Sequence, residues 1–328
     1  MKILYIHRSK KFGRQSFEML FSSIRKSLVD CETEIFYDKT HSTFLQNILA
    51  IRKIKCDVIH ITGGVGYYAF FLPTRKTILT FHDTNHYEFD LKGIKKWLYG
   101  LIIYKLPSLN VRCVTTVSEH TKNNLIRFFG MSDSKIKVIP NCYPPYFNFS
   151  PKESLSEKPR ILHIGTKSNK NLPRVIEALK GLNVELVIIG KISEKIQSIL
   201  KESKINYLNK VNITPQEIYK EYELCDIVEF VSLYEGFGLP IIEANAVGRP
   251  VITSNVSSMP KVAGNAALLV NPTKIEEIRV AVVKLLEDEN LRKHLEQKGY
   301  KNAERYTPSK IASQYKKVYL DISSGIER

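Results

Sequence analysis

The sequence predicts an α/β fold of two similar halves, each a parallel sheet covered by helices. Three observations carry that prediction. Short apolar strands alternate with amphipathic helical stretches along the whole chain. A Pro-rich and then polar interval, residues 140–159, interrupts the alternation near the middle. The length, 328 residues, suffices for two domains, and a composition of 43% hydrophobic and 25% charged residues is that of an ordinary soluble globular protein.

The elements follow in order. In the first half, Ile3–Ile6, Asp57–Ile61, Thr77–Phe81, Val114–Val117 and Lys137–Ile139 are short apolar strands. Ser16–Leu28 and Glu119–Phe129 between them have helical spacing. Pro140-Asn141-Cys142-Tyr143-Pro144-Pro145 then breaks regularity, and the polar stretch Ser150–Pro159 is the expected linker. A fresh α/β series opens at Arg160–Gly165 and continues with Glu185–Ile189, Ile227–Val231, Val251–Thr253 and Ala267–Val270. In the tail, Ile311, Tyr315, Val318, Tyr319 and Ile322 mark a helix over residues 308–322. The expected domains are therefore residues 1–150 and 158–305, with a cleft between them as the place for a ligand.

Charge is uneven. Residues 1–150 hold 22 Lys and Arg against 11 Asp and Glu, and the rest of the chain 27 against 22. The basic excess of the first half fits an anionic partner such as a phosphorylated lipid or membrane surface, and equally fits plain solubility. Nucleic acid is not expected, because no recognition motif interleaves aromatics with the basic residues. Lys92–Lys105 sets lysines beside an apolar and aromatic run that includes Trp97. It fits either a membrane interface or a helix buried in the core with its lysines in solvent. Five scattered cysteines without a C-x-x-C pair, and a start without a signal-peptide core, predict a cytoplasmic protein without structural zinc.

The most informative segment is Ser232–Ala244. A strand ends in a Gly-rich turn, Pro240 takes the first position of a helix with Glu243 in its first turn, and Gly248 closes it. Free N–H groups at that helix start suit an anion, and Glu235 and Glu243 could accept hydrogen bonds from hydroxyls of one extended ligand. Taken alone, the segment also fits an ordinary strand–turn–helix in which Glu243 only favours the helix dipole.

Glu235 to Glu243 resembles the E-x7-E signature of retaining glycosyltransferases of the GT-B fold, group 1 (family four), which include bacterial polysaccharide and lipopolysaccharide glycosyl- or mannosyltransferases. The likeness continues through Ala244–Asn255 and Ser257–Pro272 and is preceded by Tyr222–Val228, so that it covers roughly residues 160–305. It implies two Rossmann-like domains, an N-terminal one for the acceptor and a C-terminal one for the nucleotide-sugar, with the tail helix crossing back onto the first. It implies that Glu243 holds the nucleotide ribose and Glu235 contacts the donor sugar. Gly236, Phe237, Gly238 and Leu239 would line the sugar and phosphate pocket.

Gly165-Thr166-Lys167-Ser168-Asn169-Lys170-Asn171 resembles the family's second donor loop, where Lys170 would offset the phosphates of the leaving nucleotide. Thr166 stands where family members often carry arginine, so diphosphate binding would rest on Lys170, with Lys167 as a substitute. Thr80-Phe81-His82-Asp83 resembles the family's T-x-H-D segment and would bring His82 near the transferred sugar, with His86 close by. Gly13 looks like the family glycine of the loop after the first strand. Ser118-Glu119 and Asn141 also sit at family-like strand ends. The catalytic candidates are thus His82, Glu235 and Lys170, and no D-x-D pair of the metal-dependent kind is present, so neither metal nor cofactor is expected. The implied reaction moves a hexosyl residue from a GDP- or UDP-sugar to a glycan or lipid-linked glycan, at the inner face of the membrane. Rival readings are a GT-B-fold epimerase or phosphorylase, and a non-catalytic nucleotide-sugar or nucleic-acid binding protein.

Overall fold

The computed structural model describes residues 1–9, 16–39 and 44–325. The chain divides into two units, Met1–Pro144 with Pro308–Arg328, and Pro145–Thr307.

The first unit carries six strands: β1 (Lys2–His7), β2 (Glu32–Tyr37), β3 (Val58–Ile61), β4 (Thr77–Phe81), β5 (Cys113–Thr116) and β6 (Ile136–Val138). They form one parallel sheet in the order β2-β1-β3-β4-β5-β6. Its described helices are α1 (Ser16–Lys26), α2 (Phe44–Lys53), α3 (Gly93–Tyr99), α4 (Leu106–Leu109) and α5 (Glu119–Phe129). Successive strand residues point to opposite faces, so Ile3 and Tyr5 of β1 pack with Phe21 and Ile24 of α1. Leu4 and Ile6 pack on the other face with Ile48, Ile51, Leu125 and Phe129 of α2 and α5. The terminal helix Pro308–Ser323 joins the first face through Ile311, Tyr315, Tyr319 and Ile322.

A polar seam runs inside that face. The Tyr319 hydroxyl lies 2.8 Å from His60 Nδ1 and 3.1 Å from the Tyr5 hydroxyl. His60 Nε2 lies 2.7 Å from Thr80 Oγ1, which lies 2.6 Å from Thr115 Oγ1. Satisfied in this way, a buried polar network fixes a single packing of the terminal helix on the sheet.

The stretch around Lys92–Lys105 departs from the buried alternative. Residues 93–109 run as α3, a π-helical turn (Gly100–Lys105) and α4. Gly100, Tyr104, Pro107 and Ser108 face inward. Ile94, Trp97, Leu98, Ile102 and Leu109 face solvent, with Ile94 69% and Trp97 60% exposed. An apolar stripe at helical spacing therefore lies on the outside, flanked by exposed Lys92, Lys95 and Lys105.

The second unit repeats the architecture. Its strands are β7 (Arg160–Ile164), β8 (Glu185–Ile189), β9 (Asn206–Lys210), β10 (Ile227–Phe230), β11 (Val251–Ser254) and β12 (Leu268–Val270). They form a parallel sheet in the order β12-β11-β10-β7-β8-β9. The helices are α6 (Leu172–Leu179), α7 (Glu194–Ser203), α8 (Pro215–Leu224), α9 (Leu239–Val247), α10 (Met259–Ala263), α11 (Ile275–Glu287) and α12 (Glu289–Ala303). The polar stretch before β7 is stitched to this unit: buried Asp226 accepts from Lys152 Nζ at 2.7 Å, Ser156 N at 3.0 Å and Arg160 N at 2.7 Å.

Candidate active site

In an open parallel sheet, ligands bind beyond the carboxyl ends of the strands where the strand order reverses. In the second unit that point lies between β7 and β10, which are neighbours although far apart in sequence. The loop after β7 carries Gly165–Asn171, and the loop after β10 carries Ser232–Gly238.

These two loops are laced together. The Leu233 amide donates to Asn169 O at 2.7 Å, and Asn169 Nδ2 donates to Tyr234 O at 3.0 Å. Asn171, in a left-handed conformation (φ 65°) at the start of α6, donates to Val231 O at 3.1 Å and Pro272 O at 2.7 Å. Asn tolerates that conformation better than most residues, and its buried amide converts it into a clamp. Gly165 (φ 96°) lets the Lys170 side chain cross it: a Cβ there would lie 3.0 Å from Lys170 Cγ and Cε.

The result is a charged contact. Lys170 Nζ donates to Glu235 Oε1 at 2.6 Å, with both side chains partly buried, and lies 4.6 Å from the Phe230 ring centre. Asn169 Nδ2 reaches the same carboxylate oxygen at 3.3 Å. The Glu235 amide donates to Ser257 Oγ at 3.2 Å, and Ser258 Oγ lies within donating reach of Glu235 O (2.9 Å) and Phe237 O (2.7 Å). Gly236, Phe237 and Gly238 are buried, and Gly238 (φ 107°) turns the chain into α9 at Leu239. Thr166 spends its hydroxyl on Lys191 O at 2.6 Å, while Lys167 is exposed beside it.

Glu243 needs a correction. It is the fifth residue of α9, beyond the first turn, because the helix starts at Leu239 and places Pro240 second. Its relation to the helix dipole is accordingly weak. It faces α8 instead: the buried Tyr222 hydroxyl donates to Glu243 Oε2 at 2.7 Å. Burial pushes the Glu243 carboxyl up to about 7, opposed by the Tyr222 hydrogen bond and by the charge of Lys170.

In the first unit, His82 follows β4 beside a pocket of about 300 Å³ lined by Gly63, Tyr67, Tyr99, Ile103 and Tyr104 among others. Its Nε2 lies 2.7 Å from Thr62 O, so that nitrogen carries the proton, and its ring stacks on Phe17 at 3.7 Å. Nδ1 is buried and has no hydrogen-bond partner among the described residues. Burial lowers the His82 pKa to about 4, against the pull of the Thr62 carbonyl, so the ring is neutral near pH 7. Gly63 (φ 120°) makes the close approach possible, since a Cβ there would sit 2.8 Å from His82 Cδ2. His86 pairs instead with Asp90 at 2.9 Å on the exposed side. Ser118 caps α5 by accepting from Thr121 N at 3.1 Å. Gly13 lies outside the described residues. Among the described residues, no group of three or more His, Cys, Asp or Glu side chains could hold a metal ion.

The roles of Asn169, Asn171, Ser257, Ser258 and Tyr222 were not assigned from sequence. Their signal is weak, because each works through backbone or a neighbour's side chain rather than through a motif.

Residues 147–302 match the model of the family described as glycosyl transferases group 1, and residues 35–145 that of glycosyltransferase family 4. O-antigen chain mannosyltransferase B of Escherichia coli is 27% identical over 278 residues, 76% of this chain and 72% of that protein. An N,N'-diacetylbacillosaminyl-diphospho-undecaprenol alpha-1,3-N-acetylgalactosaminyltransferase of Campylobacter jejuni is 24% identical over 252 residues, 70% of this chain and 66% of that one. The crystal structure of Anabaena Alr3699/HepE in complex with UDP and glucose superposes with a TM-score of 0.79 at 15% identity. That likeness covers 98% of this chain and 100% of the other, and shows the same fold.

Proposed function

The chain belongs to the group 1 glycosyltransferases of GT-B fold, and from that premise we propose that it transfers a hexosyl residue from a GDP- or UDP-sugar to a glycan or lipid-linked glycan, with retention and without a metal. The single observation that carries the proposal is Lys170 against Glu235 at the switch point of the second sheet, beside the start of α9. A donor diphosphate there meets one lysine charge and oriented N–H groups. The sugar meets Glu235, and the ribose meets Glu243.

In this reading the diphosphate leaves with its growing charge stabilised by Lys170 and the α9 amides. The acceptor hydroxyl attacks the face that the leaving group vacates, and a leaving phosphate oxygen takes its proton. Glu235 positions the sugar. The second unit takes the donor and the first unit the acceptor. The relatives' names support polysaccharide work with mannose as the first sugar to test, and one of them names a diphospho-undecaprenol acceptor.

The enzyme works as a cytoplasmic protein attached to the inner face of an anionic membrane. No helix among the described residues is long and apolar enough to cross a bilayer. The attachment is supported instead by the outward stripe of Ile94, Trp97, Leu98, Ile102 and Leu109 with its bordering lysines.

The test is turnover and thermal stabilisation with GDP-mannose and a panel of UDP-sugars, with and without EDTA. A true donor at 100 times its dissociation constant raises stability by about 2.7 kcal/mol. Absence of stabilisation and turnover with every donor would sink the transferase reading of this site. Loss of turnover in EDTA, restored by a divalent ion, would sink the metal-free part.

A further inference from the structure

We infer that Tyr222 is a positioning residue for donor binding: its phenol aims the Glu243 carboxylate and holds it in the form that accepts hydrogen bonds. This rests on the reading of Glu243 as the group that receives the nucleotide ribose.

Tyr222 sits in the last turns of α8 and is fully buried. A phenol so placed needs a partner, and its partner is Glu243 Oε2 at 2.7 Å on the neighbouring α9. The frame around it is fixed. Phe147 packs on the ring at 5.4 Å, and Arg249 Nη2 donates to Glu223 O at 2.8 Å, tying down the end of α8. The Tyr222 ring therefore does not follow Glu243; Glu243 is held against the ring.

The direction of the hydrogen bond has a chemical consequence. The phenol donates, so the carboxylate accepts. An ionised carboxylate has about four acceptor directions, and the phenol occupies one, leaving the rest for the two adjacent hydroxyls of a ribose. A protonated carboxyl turns one oxygen into a donor and gives up part of that pairing. Three groups face this carboxylate from different elements. Tyr222 comes from α8, Lys170 from the loop after β7, and Tyr146 from the stretch before β7. Burial works toward the neutral acid and raises the carboxyl to about 7, while Tyr222 and Lys170 both work toward the ion. Lys170 is already engaged by Glu235, and a bound diphosphate would engage it further. Tyr222 is the one of these two that a donor leaves in place.

The experiment measures binding of UDP and of GDP, without sugar, by calorimetry between pH 6 and pH 9. It uses the full chain and the variants Tyr222→Phe and Glu243→Gln. Each variant is compared with the parent at the same pH, which cancels the ligand's own titration. Removing a hydrogen bond to a charged group predicts binding about tenfold weaker for Tyr222→Phe at pH 7. The loss should shrink toward pH 9, because the carboxyl then ionises without help. Glu243→Gln should bind weakly with no such recovery. A Tyr222→Phe loss that is the same at every pH would mean only packing damage and would overturn the inference, as would parent-like binding throughout. If Glu243→Gln binds like the parent, or the parent binds neither nucleotide, the ribose reading itself fails, which is a separate result.

Discussion

Each unit carries a six-stranded parallel sheet, in the order β2-β1-β3-β4-β5-β6 in the first and β12-β11-β10-β7-β8-β9 in the second, yet the side chains gathered at the strand ends differ. In the second unit the carboxyl ends of the strands gather charge: Lys170 on Glu235, and Glu243 under Tyr222. In the first unit three buried histidines, His7, His60 and His82, are kept neutral by burial, beside a buried Asp38 that accepts from Asn47 and Tyr68. The second unit thus sets a lysine–carboxylate pair at its strand ends, and the first a cluster of hydrogen-bonded rings. The difference teaches that the strand order alone selects where a ligand sits, whereas side-chain charge selects which one.

Acid should break the two units apart in stability, and this is the largest effect expected. His7 and His82 have folded pKa values lowered to about 4, with burial as the main cause, and His60 is lowered well below its usual value. Unfolded histidines take up protons near 6.5, so the stability of the neutral folded forms is fully present above that pH. It is lost as the pH falls toward 4, at about 1.4 kcal/mol per pH unit for each histidine. Glu243 has the opposite sign: its folded pKa is raised, so its burial penalty is relieved over the same window. Hydrogen exchange between pH 7 and pH 4.5 should show protection lost first in β1, β3 and β4. Equal loss in β7 and β10 would break the comparison.

The same contrast explains what was legible in the sequence. The interior strands β1, β3, β4, β5, β7, β8, β10 and β11 are short apolar runs, and all were found within a residue or two. The two strands that escaped, β2 (Glu32–Tyr37) and β9 (Asn206–Lys210), each form one partly solvated edge of their sheet, whereas the opposite edges β6 and β12 keep a short apolar run. The two that escaped carry polar residues and lack the apolar signal. At the site, the strand–turn–helix of residues 232–248 was legible from its glycines and Pro240, while the roles of Glu235, Glu243 and the Gly165 loop came from the resemblance to the E-x7-E signature. The clamp of Asn169 and Asn171 was not, since it joins loops about 65 residues apart through backbone atoms. Nor did spacing reveal that Glu243 faces α8 rather than the helix start.

The next effect sharpens the charged half of the contrast. Lys170→Ala removes the side-chain cation that contacts Glu235 among the described residues, from a position that is partly exposed. It should lower kcat by two to three orders of magnitude, the about 2.7–4 kcal/mol that one preorganised electrostatic partner contributes. Folding should be nearly unchanged, because the pair is partly exposed and such pairs contribute little to stability. Steady-state kinetics beside a melting curve checks both statements. A large fall in melting temperature with kcat preserved would make this pair a structural tie instead.

The smallest effect on stability belongs to the surface of the first unit. Trp97 is 60% exposed on the outward stripe of α3. Replacing it by serine should change folding stability by no more than about 0.5 kcal/mol, the usual range for surface positions. If the stripe serves only as solvent-facing surface, nothing else should change. If it lies in a membrane interface, Trp97→Ser removes the aromatic body expected at headgroup depth. Each lysine near an anionic surface adds about 1 kcal/mol, an attraction that salt screens. Co-sedimentation with anionic vesicles should then fall for Trp97→Ser and for the parent at high salt, with neutral vesicles binding least. The pairing is what makes the test sharp: a residue without weight in folding but with weight in sedimentation is there for the surface it meets. Parent protein absent from anionic and neutral pellets alike would leave a soluble enzyme with a soluble acceptor.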